Sequence, residues 1–201
     1  MTDAFLCATR RRVLFTSALM FAAAAMTDLP QAKASALPLN FHGGRINPPV
    51  PVPDVPVRLS DGKVTSLAKI LSGRATALQL IFTGCSTTCP IQGAIFQRVQ
   101  SLLPNQIESG IQLLSLSIDP LADTPQAMQL WLKRFEGRPG WVAATPDLKD
   151  LDVIQDFFGG GRNSIENHAT QVQIISRRGE LIWRTYELPP AESIVDMLRK
   201  V

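Results

Sequence analysis

The sequence predicts an α/β protein: a central mixed sheet flanked by helices, with an N-terminal β-hairpin. Three observations carry this. Stretches of buried-strand character, Leu78 to Phe82, Ile111 to Ile118 and Thr170 to Ser176, alternate with segments whose apolar residues recur at three- and four-residue steps. The connections are short and marked by Gly and Pro. The last two strands are joined by a tight turn, so the order β-α-β-α-(β)-α-β-β-α combines crossover units with a closing hairpin, and helices cover both faces of one sheet.

Each element has a local reason. Val57-Arg58-Leu59 and Lys63-Val64-Thr65 flank Ser60-Asp61-Gly62, a hairpin with Asp-Gly at its turn. Ser66 caps a short helix through Leu71, which Gly73 ends. Leu78 to Phe82 is a strand that Gly84 breaks. After Pro90, a residue suited to a first helical turn, Ile91, Ala94, Ile95, Val99, Leu102 and Leu103 trace the apolar face of a long helix. The strand Ile111 to Ile118 ends at Asp119-Pro120. Thr124-Pro125 supplies a cap and a first-turn proline for a helix with Ala127, Met128, Trp131, Leu132 and Phe135 on one face. Trp141 to Ala143 is a short strand. Asp147 to Phe158 is a helix with Leu148, Leu151, Ile154 and Phe158 inward, stopped by Gly159-Gly160-Gly161. The chain ends in strands Thr170 to Ser176 and Glu180 to Thr185 and a helix from Ala191 to Arg199.

The first 36 residues read as an export signal rather than as part of this domain. Arg10-Arg11-Arg12 precede an uncharged apolar run, Val13 to Met26, and small-residue cleavage patterns lie around Ala32 to Ala36. Thr9 to Leu14 resembles the twin-arginine pattern and fits a generic basic n-region equally well. The run falls short of the ~20 residues of a membrane span, so a periplasmic protein is the first reading and an inner-membrane anchor with a periplasmic domain the second. Residues 37–56, with five prolines after Gly43-Gly44, read as a stiff arm outside the core. Residues 37–201 hold 16 of the 20 Lys and Arg and 15 of the 17 Asp and Glu, a net charge of +1 with no basic stripe, which argues against nucleic acid. No heptad or long apolar edge is visible, so a monomer is expected, soluble or peripherally associated with the membrane.

Past the leader, which takes Cys7 with it, two cysteines remain. Cys85 and Cys89 sit where a strand meets a helix start, whose free N–H groups and partial positive charge are expected to lower both thiol pKa values. An exported pair usually forms a structural disulfide, but a loop this short takes little entropy from the denatured chain, so a functional dithiol is the stronger reading. A thioredoxin-like sheet fits the element order with a dithiol at this junction. The four-residue spacing allows either a disulfide or a grip on one soft metal ion. Met128 and Met197 fall on helix faces and read as core, so a third ligand narrows to His42 or His168. His168 directly precedes a strand that borders the crevice. Two thiolates and an imidazole suit copper, with Cu(I) favoured by the sulfurs.

Thr83-x-Cys85-x-x-x-Cys89-Pro90, then Ser117-Ile118-Asp119-Pro120-x-x-Asp123-Thr124-Pro125, then Asn167-His168-Ala169 together resemble the SCO/SenC family of thioredoxin-fold copper proteins, which help assemble the binuclear copper centre of cytochrome oxidase. The resemblance covers Val57 to the C-terminus. It implies Cys85, Cys89 and His168 as copper ligands and Asp119 as an acidic residue supporting the site, although turn initiation before Pro120 accounts for Asp119 as well. It also implies an exported metallochaperone that hands copper to a cytochrome oxidase subunit. Ser86 stands where the family usually has proline and Asn167 where it usually has aspartate, which points to a looser or less charged site. The same dithiol permits two other roles: a thiol-disulfide oxidoreductase using Cys85 and Cys89 on a target protein, or a copper-dependent redox sensor. Against the reductase, Ala169-Thr170 enter the facing strand without the proline that thioredoxin-type reductases resemble one another in having.

Overall fold

The computed structural model describes residues 43–104, 110–159 and 170–201. Residues 1–36, expected to be an export signal, and His42, Asn167 and His168 lie outside the described residues. The elements in chain order are β1 (Gly44–Pro51), β2 (Pro56–Leu59), β3 (Val64–Ser66), α1 (Leu67–Leu71), β4 (Ala75–Ile81), α2 (Thr88–Leu102), β5 (Ile111–Ser117), α3 (Pro125–Arg134), β6 (Trp141–Pro146), α4 (Leu151–Phe158), β7 (Gln171–Ile175), β8 (Glu180–Glu187) and α5 (Ala191–Leu198). One sheet runs β1-β8-β7-β4-β5-β6-β2-β3. Its centre, β4-β5-β6, is parallel, and the remaining pairings are antiparallel. The expected mixed sheet, hairpin and flanking helices are all present.

All seven residues of β4 and of β5 are buried, as strands covered on both faces must be. Their side chains alternate between two cores. Ala75, Ala77, Ile81 and Leu113 join Phe96 of α2, Met128 and Trp131 of α3 and Ile194 of α5. Leu78, Leu80, Leu114 and Leu116 join Leu67 and Leu71 of α1 and Ile154 and Phe158 of α4. The first core contains polar groups: the Ser115 hydroxyl meets the Gln79 amide at 2.9 Å and the indole N–H groups of Trp131 and Trp141 at 3.1 and 3.0 Å.

The local signals act as expected at the helix ends. Ser66 accepts from the Lys69 N–H and Thr124 from the Ala127 N–H, both at 3.2 Å. Gly159 closes α4 at φ +84°, a conformation that disfavours any residue with a Cβ.

Three expectations are corrected. Residues 44–56 are not an arm outside the core: β1 pairs with β8, and Ile46, Val52 and Val55 are buried. The prolines are tolerated because β1 is an edge strand whose pairing is interrupted between Arg45 and Val50, where Pro48 and Pro49 need no N–H partner. The inward face of α2 is Cys89, Gln92, Gly93, Phe96, Val99 and Gln100, while Ile91 and Ala94 point outward. The α4 region starts with a 3-10 turn, Leu148–Asp150, that leaves Leu148 exposed. Among the described residues no helix is long and apolar enough to cross a membrane.

Candidate metal centre

The parallel centre of the sheet aligns the C-terminal ends of β4, β5 and β6 along one edge, the usual place for a site in such sheets. The thiol loop leaves β4 there. Residues Phe82 to Thr87 bend into the first turn of α2, so Cys85 precedes the helix and Cys89 lies within its first turn. Both cysteines are unbridged thiols and buried, Cys89 fully and Cys85 at 9% exposure.

The turn directs donors at one sulfur. The Cys85 Sγ accepts from the Cys89 N–H at 3.5 Å and lies 3.6 Å from the Thr87 hydroxyl and 3.8 Å from that of Thr88. Burial opposes ionisation of Cys85, but hydrogen bonds from the Cys89 N–H, the Thr87 hydroxyl and N–H and the Cys89 thiol outweigh it, and the pKa falls to about 6. Cys85 is therefore a thiolate at neutral pH. Cys89 goes the other way. Burial dominates, the Phe82 N–H offsets only part of it, and hydrogen bonding and charge from Cys85 with the charge of Asp123 add to it, so its pKa rises to about 12. The expectation that the helix start lowers both thiols holds for Cys85 and fails for Cys89, where desolvation and two nearby negative charges exceed the dipole.

Asp123 is a buried carboxylate whose charge acts on Cys89. It is 2% exposed. It accepts from the Thr83 N–H at 3.0 Å, from the Thr83 hydroxyl at 2.5 Å and from the Ser117 hydroxyl at 2.6 Å, and its own carbonyl accepts from the Thr145 hydroxyl at 3.0 Å. Asp119 is half-buried, and its carboxylate accepts from the Ala122 N–H at 3.3 Å within the turn that follows β5. Its observed contacts are thus those of turn initiation. The missed signal was the second acid of the Asp119-x-x-x-Asp123 pair, set directly before a helix cap.

The structure brings Cys85 and Cys89 together, and the third expected ligand, His168, lies outside the described residues. Among those residues no group of three His, Cys, Asp or Glu side chains stands close enough to hold a metal ion. What the described atoms offer is a two-sulfur grip, one arm already charged and the other releasing a proton as a soft ion arrives.

A family model described as SCO1/SenC matches residues 59–201. The chain belongs to the SCO1/SenC family. A Stutzerimonas stutzeri protein named for copper binding is 29% identical over 89 residues, 44% of this chain and 43% of that protein, so the match spans less than half of that relative. An SCO1/SenC family lipoprotein of Bacillus anthracis superposes with a TM-score of 0.64 at 22% identity, over 77% of this chain and 98% of that one. Arabidopsis thaliana ScoI, solved with copper bound, superposes at 0.63 and 18% identity, over 74% and 95%. These likenesses show the shared thioredoxin-like architecture, as expected from the order of elements.

Proposed function

We propose that this SCO1/SenC protein is an exported copper metallochaperone that carries copper between Cys85, Cys89 and His168 and hands it to a partner such as the binuclear copper centre of cytochrome c oxidase. The observation that carries the reading is the thiol pair itself: two sulfurs not joined in a disulfide, brought together by one loop, with the Cys89 N–H on the Cys85 Sγ, at the edge where the parallel strands end. Copper is the cargo here. A charged Cys85 gives an entering ion a first ligand at neutral pH, and closure onto Cys89 expels its proton. Release to a partner by ligand exchange is the reverse, favoured because Cys89 regains that proton. Family membership and the copper-bound Arabidopsis relative support the metal, and the basic, apolar leader supports a periplasmic address, with an inner-membrane anchor as the second reading.

A copper titration of the reduced 37–201 domain followed by X-ray absorption tests this. One copper on two sulfurs and one nitrogen is expected, lost on oxidation to the Cys85–Cys89 disulfide and lost in His168→Ala. Unchanged affinity in His168→Ala would sink that ligand.

The thiol-disulfide oxidoreductase reading draws on a specific observation. A low-pKa thiol beside a buried, protonated one is also the arrangement of an attacking and a resolving cysteine. Absence of tight copper binding, with rapid cycling of the dithiol against a protein disulfide, would put that reading first.

A further inference from the structure

We propose that Asp123 is the positioning residue of the dithiol: it grips the peptide that carries both cysteines and thereby sets how readily the two sulfurs meet. The argument rests on one peptide unit. The N–H of Thr83 and the C=O of Phe82 belong to the same planar amide, so they turn together. Asp123 holds the N–H end at 3.0 Å. At the other end the Phe82 carbonyl accepts from the Cys85 N–H at 3.2 Å. The preceding amide is engaged as well, because the Phe82 N–H bonds to the Cys89 sulfur. Any rotation of this segment moves Cys85 and Cys89 relative to each other.

Asp123 is built to resist that rotation. Its carboxylate also holds the Thr83 and Ser117 hydroxyls. Its main chain is fixed on both sides, with its N–H on the Asp119 carbonyl at 2.9 Å and its carbonyl on Thr145. The next residue, Thr124, caps α3. The ends of β4 and β5 are therefore tied to the carboxylate of one buried residue and the end of β6 to its main chain. Asn at this position keeps the shape and can still accept from Thr83 while donating to the Ser117 hydroxyl, whereas Ala releases the whole segment.

The inference rests on the dithiol being the working site, and its test needs no copper. The metal-free protein is equilibrated with reduced and oxidised glutathione. At neutral pH, closing the disulfide removes two electrons from the pair and one proton, that of Cys89, because Cys85 is already a thiolate; with one further proton from solvent, one glutathione disulfide becomes two glutathione thiols. Asp123→Ala is expected to lower the equilibrium constant for disulfide closure at least tenfold, about 30 mV for this two-electron couple. Asp123→Asn is expected to lower it by less, and it remains measurable if the alanine variant fails to fold. Ser115→Ala removes a buried hydrogen-bonding group from the same sheet without touching the thiol loop; it should reduce stability and leave the equilibrium constant unchanged. A wild-type constant in the folded Asp123 variants, a raised one, or an equal shift in Ser115→Ala would each overturn the assignment. Failure to bind copper would sink the metallochaperone reading alone.

Discussion

Cys85 and Cys89 are separated by three residues, yet their environments make them opposites. Cys85 sits among N–H and hydroxyl donors; Cys89 sits in the apolar core against a thiolate and the Asp123 charge. Iodoacetamide should therefore modify the reduced, metal-free protein at Cys85 with a midpoint near pH 6 and leave Cys89 untouched well above pH 9, as read by peptide mass spectrometry. Equal labelling of both residues with one midpoint near 8.5 would show that the loop does not distinguish them. Stability carries the same signature. An unfolded cysteine titrates at about 8.5, so from pH 6 to about 8.5 the unfolded chain holds a proton at Cys85 that the folded chain has released, and stability rises with pH. From about 8.5 to 12 the folded chain keeps the Cys89 proton that the unfolded chain has lost, and stability falls. In urea melts across this range, Cys85→Ser should remove the rise and Cys89→Ser the fall.

Helix α2 shows what its sequence pattern hides. A count of apolar residues selects Ile91, Ala94 and Ile95, but the inward positions are 89, 92, 93, 96, 99, 100 and 103, a regular three-and-four spacing in which four members are Cys, Gly or Gln. Binary patterning assigns Gln92 and Gln100 to the surface. Gln100 is nevertheless buried because its amide donates to the Glu136 carbonyl at 3.0 Å and accepts from the Arg138 N–H at 2.8 Å, bonds to a segment 36 residues away that local sequence does not encode. Gln92 is buried, and among the described residues neither of its amide atoms has a hydrogen-bond partner. Gly93 is there for space. A Cβ at this position would overlap the Phe135 ring, and that ring is held edge-on against Trp131 with centroids 4.7 Å apart. Gly93→Ala should gain about 1 kcal/mol of helix propensity and lose more to overpacking, for a net destabilisation of about 1–2 kcal/mol in urea unfolding. Adding Phe135→Leu should recover part of the loss; a double variant whose two effects simply add would show that the ring is not what the glycine makes room for.

Across the whole molecule, sequence pattern conveys composition of the sheet better than its limits. The buried runs of β4, β5 and β7, the Asp61-Gly62 hairpin and the Thr124 and Gly159 helix ends were legible because each depends on neighbours in sequence. Strand order was not, because the placement of β7 against β4 depends on residues nearly 100 positions apart, such as Thr76 and Ile175. The dithiol was legible as a pair, while the inequality of its two members was not, since it comes from how the core buries Cys89 and where Asp123 is folded to. The N-terminal limit was misread because proline signals a non-strand everywhere except at an edge. The family match likewise begins at residue 59, inside β2. The structure places the working boundary earlier. Removing β1 would leave β8 as the unprotected edge of the sheet, with Leu181 and Trp183 no longer covered from that side. Cutting on through residue 56 would strip Ile46, Val52 and Val55 from the core under α1 and α4, and with Val55 and Asp54 go two bonds to the start of α1: the Leu67 N–H to the Val55 carbonyl at 2.9 Å and the Ala68 N–H to the Asp54 carboxylate at 3.0 Å. Burial of three aliphatic side chains outweighs the entropy of ordering a proline-stiffened strand, so a chain beginning at Val57 should be less stable than one beginning at Gly43 by roughly 2–4 kcal/mol. A lower urea midpoint and concentration-dependent aggregation of the shorter chain are the expected results; equal midpoints would return residues 43–56 to the status of an arm.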